Sequence, residues 1–163
     1  MADGEMQEGA LPRPGETLGE MGLYSFAPYL MNRIMGRYNA DLQGDLRALG
    51  LTTAKMRTLA VLAVVPGLTI NELSVYAVTE QSTMSRTLES LERARLVRRE
   101  GRASDGRVRE IYLTEAGRAE FDRAWPAMYA GYERMFEGIA GEERRAFTTT
   151  LQKILRNVRR HDI

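Results

Sequence analysis

Between residues 93 and 109 the chain places seven arginines, Arg93, Arg95, Arg98, Arg99, Arg102, Arg107 and Arg109, against two acids, Glu100 and Asp105. A guanidinium is a planar fork of five donors that stays charged at any ordinary pH, so such a cluster suits phosphate or carboxylate recognition. Just upstream, Gln81, Ser82, Thr83, Ser85 and Arg86 fall within six residues. Hydroxyl and amide groups bond phosphate oxygens or base edges, and Gln and Arg have the geometry to read adenine and guanine. Bond-breaking chemistry is poorly supplied. There is no cysteine, one histidine, His161, and no paired-carboxylate, Gly-rich phosphate or Ser-x-x-Lys pattern. That removes disulfides, thiolate nucleophiles and thiol redox sensing, leaves too little for a tetrahedral zinc site, and takes away the commonest general base. No catalytic residue, metal site or cofactor is expected.

The formal net charge of +1 conceals the basic segment. Residues 1–20 hold Asp3, Glu5, Glu8, Glu16 and Glu20 against Arg13, a net of −4, so residues 21–163 carry +5. The seven-arginine segment alone has the same +5. Only Lys55 and Lys153 among the 23 basic residues are lysines, a bias that genome base composition would produce equally well. With 163 residues, 44% hydrophobic and 28% charged, the chain has the balance of an ordinary single domain. Residues 1–20 are rich in Gly and Pro and read as a flexible acidic tail, with residues 21–163 as one domain. The acidic start has no signal-peptide pattern and no apolar run approaches a membrane span, so a cytoplasmic location and no membrane partner are expected.

The elements that must position these groups are legible from periodicity. Leu23, Phe26, Ala27, Leu30, Ile34, Tyr38, Leu42 and Leu46 form a helical stripe up to Gly50, with a start near Ser25 that keeps Pro28 in the first turn. A second helix follows a Thr52 or Thr53 cap, burying Met56, Leu59, Leu62 and Val65 before Pro66-Gly67. Thr69 and Glu72 make a capping box for a short helix burying Ile70, Leu73 and Ala77. After a tight turn, a helix over about 80–93 buries Met84, Leu88 and Leu91 and presents Gln81, Ser82, Ser85, Arg86, Glu89 and Arg93. These two form a helix-turn-helix whose second helix is the reader. Alternation over residues 96–100 and 108–113 predicts a hairpin joined by residues 101–107, longer than a two-residue turn, and its arginine-rich tip makes it a wing. Arg98 and Arg99 are neighbours and point to opposite faces, so at least one is structural. Two final helices follow, the first capped by Thr114 and interrupted by Pro126, the second carrying Phe147, Leu151, Ile154, Leu155 and Val158. The long amphipathic helices at both ends leave apolar faces that a second subunit would cover, so a homodimer is expected. The fold class is mainly α with a two-stranded β wing: a winged helix-turn-helix over about 52–115 plus N- and C-terminal dimerisation helices over about 23–49 and 115–160.

The run Ser82-Thr83-Met84-Ser85-Arg86 through Leu88-Glu89, with Leu96-Val97-Arg98-Arg99, Asp105-Gly106-Arg107 and Leu113-Thr114-Glu115-Ala116-Gly117, resembles the MarR family of bacterial transcription regulators. One departure is Arg95, where the family usually has a Gly that ends the helix at positive φ. Arg95 implies strain there or a different termination.

The resemblance implies a homodimer that binds a pseudo-palindromic DNA operator, one reading helix per half-site, with repression relieved by a small aromatic or carboxylate effector, sometimes a larger aromatic thioester. The DNA-binding residues expected are Gln81, Ser82, Thr83, Ser85, Arg86, Arg98, Arg102, Asp105 and Arg107, with Arg107 in the minor groove. Open alternatives are a capping role for Ser82 and Thr83, an ion pair of Arg86 with Glu89 or Glu92, and a turn salt bridge for Asp105 and Arg107. Family pockets lie between the dimer helices and the DNA-binding lobe, which makes Tyr29, Arg33, Arg37 and Tyr38 the expected effector-pocket residues. Core or dimer packing for the aromatics and solvation for the arginines is the rival reading. A winged-helix module that binds protein or RNA without small-molecule control is the alternative function.

Overall fold

Thr69 explains the start of the helix that supports the reading head. Its hydroxyl accepts from the Glu72 amide at 3.4 Å while Glu72 Oε2 accepts from the Thr69 amide at 2.7 Å, satisfying donors that the first turn would otherwise leave unpaired. In the computed structural model, which describes residues 13–102 and 104–161, this box opens α4 (Ile70–Tyr76). The other elements in chain order are α1 (Leu18–Met21), a 3-10 turn (Leu23–Ser25), α2 (Ala27–Ala48), α3 (Thr53–Val64), α5 (Gln81–Arg93), β1 (Val97–Arg102), β2 (Asp105–Leu113), α6 (Glu115–Met135) and α7 (Gly141–Val158). The fold is mainly helical, with β1 and β2 forming one antiparallel pair.

The chain divides into two units, residues 1–41 and 42–163. In the first, periodicity predicts no element before residue 23, yet α1 is built by a second capping box between Thr17 and Glu20. Residues 1–12 of the acidic tail lie outside the described residues. α2 begins at Ala27, so Pro28 sits in its first turn, where a missing backbone donor costs nothing.

The second unit is organised around α3. Thr52 caps it, accepting from the Lys55 amide at 3.2 Å, and Met56, Leu59 and Leu62 are buried beside Leu46, Leu73, Met84, Leu88, Leu91, Val97 and Ile111. Val65 and Ile70, expected in this core, are only half-buried. α3 packs against α4, α5, α6 and β2, so the reading helix and the wing rest on a common base. Each fully buried leucine contributes on the order of 1.5–3 kcal/mol by leaving water.

The wing differs from expectation. Its strands pair from Val97↔Leu113 to Arg102↔Asp105, leaving two residues between them instead of seven. A register shift between Gly101 and Arg102 lets the ladder continue, and the Arg102–Glu110 ion pair at 2.5 Å holds the extension. At the base, Gly67 donates to Ile111 at 3.0 Å and Ile111 donates to Leu68 at 2.9 Å, which seats β2 on the segment before α4. The interruption expected at Pro126 is absent, and α6 continues through that proline even though it lacks a backbone donor and crowds the preceding turn. α7 has no buried residue.

Candidate nucleic-acid interface

α5 buries one face and offers the other. Met84, Leu88 and Leu91 are fully buried, while Gln81, Ser82, Thr83, Arg86, Glu89 and Arg93 are exposed and Ser85 is half-buried. Its N-cap is Glu80, which makes no side-chain cap. Ser82 and Thr83 therefore lie inside the first turn and do not cap it, which resolves the capping alternative. The uncapped amides and the positive end of the helix dipole face outward together. Gln81 is held from α4, its Nε2 donating to Asn71 Oδ1 at 2.6 Å. Ser85 Oγ donates to the Gln81 carbonyl at 3.1 Å, and Arg86 Nε donates to the Ser82 carbonyl at 3.3 Å. Among the described residues Arg86 forms no ion pair, and Glu92, one of its expected partners, instead meets Arg99 at 3.0 Å.

The wing arginines divide by partner. Arg99 ties β1 back to α5 through Glu92, whereas Arg98 pairs with Glu100 and lies 4.9 Å from the Tyr112 ring centroid. The two neighbours do reach opposite sides, and both are engaged. Arg102 bonds Glu110, whose other oxygen accepts from the Tyr112 hydroxyl at 2.9 Å. Those two donors hold the Glu110 carboxyl below its ordinary range, Arg102 foremost, and the same bond pushes the Tyr112 hydroxyl up. At the tip, Asp105 Oδ1 accepts from the Arg107 amide at 3.0 Å and from its Nε at 3.4 Å. The turn salt bridge is thus present, yet the Arg107 side chain is 95% exposed. Arg109 was not singled out in the sequence. It is exposed and has Gly101 opposite, where a Cβ would lie 3.7 Å from its Nη1.

The four expected effector residues all lie on α2 within residues 1–41. Arg33 Nη1 donates to the Tyr29 hydroxyl at 3.2 Å, and Tyr29 meets Tyr24 edge-on at 6.3 Å between centroids. Arg37 pairs instead with Asp41 at 3.1 Å. Tyr29, Arg33 and Arg37 follow a four-residue spacing on one stripe, while Tyr38, nine residues after Tyr29, falls on the opposite side of the helix.

The winged-helix architecture agrees with comparisons to known proteins. Residues 49–108 match the MarR family. A crystal structure of a MarR family transcriptional regulator from Silicibacter pomeroyi is 55% identical, covers 91% of this chain and all of that one, and superposes with a TM-score of 0.86.

The chain belongs to the MarR family of transcriptional regulators.

A MarR family protein of Mycobacterium tuberculosis, solved with salicylic acid, is 30% identical over 79% of this chain and 96% of its own, with a TM-score of 0.66. The HTH-type transcriptional repressor IacR of Pseudomonas putida is 24% identical over 133 residues, 82% of this chain and 80% of that protein. MarR family members regulate transcription and are not enzymes. Among the described residues of this member, no helix is long and apolar enough to cross a membrane.

Proposed function

We propose that this MarR family chain is a homodimeric repressor that binds a pseudo-palindromic duplex DNA operator through α5 and the wing and releases it when a small aromatic or carboxylate effector binds. The observation that carries the reading is the outward face of α5, where Ser82, Thr83 and Arg86 stand exposed beside uncapped amides. α5 would lie in the major groove, with Gln81 and Arg86 at base edges and Ser82, Thr83 and Ser85 on phosphates or bases. Arg107, braced by Asp105, would enter the minor groove, with Arg98 and Arg102 near the backbone at the cost of loosening their present ion pairs. Half-sites one helical turn apart place the two reading helices roughly 34 Å apart.

Dimerisation would use the segments about 23–49 and 115–160 outside the winged region of about 52–115. Support comes from the apolar surface left open there. Phe121, Trp125, Tyr129, Tyr132 and Phe136 stack in sequence along α6 at centroid separations of 5.1–6.0 Å, and Trp125, Tyr129 and Tyr132 are exposed. On α7, Phe147, Leu155 and Val158 are exposed as well. Such a surface is unusual on a monomer.

Tyr29 and Arg33 supply an aromatic and a cationic group side by side, a pairing suited to an aromatic acid. Arg37 would join them only after leaving Asp41, while Tyr38 lies on the opposite side of α2 from Tyr29. An aromatic acid such as salicylate should raise the melting temperature of the wild type and not of Arg33→Ala. The DNA reading is tested by a gel shift on a fragment from upstream of the chain's own gene, with the dimer sized in parallel. A retarded complex supports it. Absence of duplex binding at about 50 mM salt, or salt-insensitive binding, contradicts it.

A further inference from the structure

Two side chains join the helices of the reading head at its outer edge. Gln81, the first residue of α5, donates from Nε2 to Oδ1 of Asn71 at 2.6 Å. Asn71 lies in the first turn of α4, whose backbone the Thr69–Glu72 box fixes. Both residues are exposed, so water competes for the bond and it adds little to stability. Gln81 also stands four residues before Ser85, on the face of α5 that turns away from Met84, Leu88 and Leu91.

The consequence of the bond is orientation. An unheld glutamine turns about three torsions, and its amide presents oxygen and nitrogen in either order. Here Asn71 Oδ1 takes one of the two Nε2 hydrogens, which sets both the plane of the amide and the order of its ends. Gln81 Oε1 and the second Nε2 hydrogen have no partner among the described residues. One acceptor beside one donor is the complement of adenine in the major groove, which offers the N6 hydrogen beside N7, whereas guanine offers two acceptors there. Ordering such a side chain only on binding costs about two- to tenfold in affinity, a cost removed when a neighbour holds it beforehand.

We propose that Asn71 is a positioning residue for base recognition, holding the Gln81 amide so that Oε1 and the second Nε2 hydrogen meet one adenine in each operator half-site. Asn71 acts on the base only through Gln81. The inference rests on the reading above, in which the first turn of α5 enters the major groove, and it adds a residue of α4 to those that decide which sequence is bound.

The test uses the full-length wild type, Gln81→Ala, Asn71→Ala, Asn71→Asp and the double variant Asn71→Ala/Gln81→Ala, each checked by thermal unfolding. Binding to the duplex fragment from upstream of the gene is measured with every base pair of the footprint replaced in turn. Pairs whose replacement weakens the wild type but not Gln81→Ala are those that Gln81 reads. One A·T pair per half-site is expected, with discrimination of about tenfold. Asn71→Ala should lose most of that discrimination at the same pair and keep it at every other. Its slope of log affinity against log salt should match the wild type, since no phosphate contact is removed. The carboxylate of Asn71→Asp accepts and cannot donate, so this variant should keep the preference at that pair while its added charge weakens binding to every duplex. The double variant should discriminate no worse than Gln81→Ala. Wild-type discrimination at that pair in Asn71→Ala, an equal loss at all pairs, or a lost preference in Asn71→Asp overturns the proposal. A Gln81→Ala protein that reads every pair as the wild type does removes the base contact, and the proposal with it, while leaving DNA binding intact. Failure of the wild type to bind any duplex overturns the underlying DNA-binding reading as well.

Discussion

The hydroxyl of Thr114 donates to the carbonyl of Arg95 at 2.7 Å across the base of the wing, joining the residue that ends the reading helix to the residue that starts α6. The same oxygen accepts from the Gly117 amide at 3.0 Å, so one side chain both caps α6 and fixes the exit of α5. Thr114→Ala should therefore cost more than an ordinary cap, about 2 kcal/mol, and Thr114→Ser should recover most of it. Urea unfolding of the three proteins measures this. Equal stability of Thr114→Ala and wild type would show that the oxygen does neither job.

Gly117 is fixed by the same junction. A Cβ on it would lie 1.9 Å from the Leu96 carbonyl oxygen, a distance that forces backbone to move. Gly117→Ala should destabilise by about 3 kcal/mol, at the upper end for overpacking and despite the better helix propensity of alanine. Denaturation midpoints decide it, and a neutral substitution would show that α6 can shift away from the wing without penalty.

Val78 occupies the turn between α4 and α5 with φ of 50° while 80% exposed. Thr79 donates to the Ser74 carbonyl at 3.0 Å and Val78 to Val75 at 3.1 Å, the same paired ending that Leu96 and Arg95 make on Leu91 and Glu92. Val78→Gly should stabilise by about 1 kcal/mol, or roughly 2–4 °C for a chain of this size. Calorimetry that found a lower melting temperature would place a compensating contact on the valine.

Glu110 sets a pH dependence. Bonds from Arg102 and Tyr112 lower its pKa in the folded protein. A lowered pKa means that the folded state binds its proton less readily than the unfolded chain, so the contribution is present above the unfolded value of about 4.3 and is lost as pH falls through the folded value. The melting-temperature gap between wild type and Glu110→Gln should be widest above about pH 5 and narrow toward pH 3. A gap that stays constant with pH would exclude a charged Glu110 as its cause.

Much of this was readable from residue order because the signals are local. The Thr69–Glu72 box and the Met84, Leu88, Leu91 stripe are decided within one or two helical turns, and both appear as expected. The hairpin tip is not legible in this way, because Arg102↔Asp105 pairing depends on a register shift at Gly101 that no spacing displays. Arginine roles were hard for a related reason. Glu92 and Glu110 lie seven and eight residues from Arg99 and Arg102, and only folding makes them neighbours. At Arg95 the missing glycine was visible, but only the backbone, with φ of 58°, shows that strain, and not another termination, is the outcome.

The central claim, that the α5 and wing face binds duplex DNA, is tested most directly by fluorescence anisotropy on a labelled upstream fragment with wild type and Arg107→Ala over a salt series. The account predicts steep salt dependence for the wild type, and for Arg107→Ala weaker binding, a slope flatter by about 0.9 per protomer, and an intact dimer of unchanged melting temperature. Wild-type binding that ignores salt, or an Arg107→Ala protein that binds as tightly with the same slope, would contradict it.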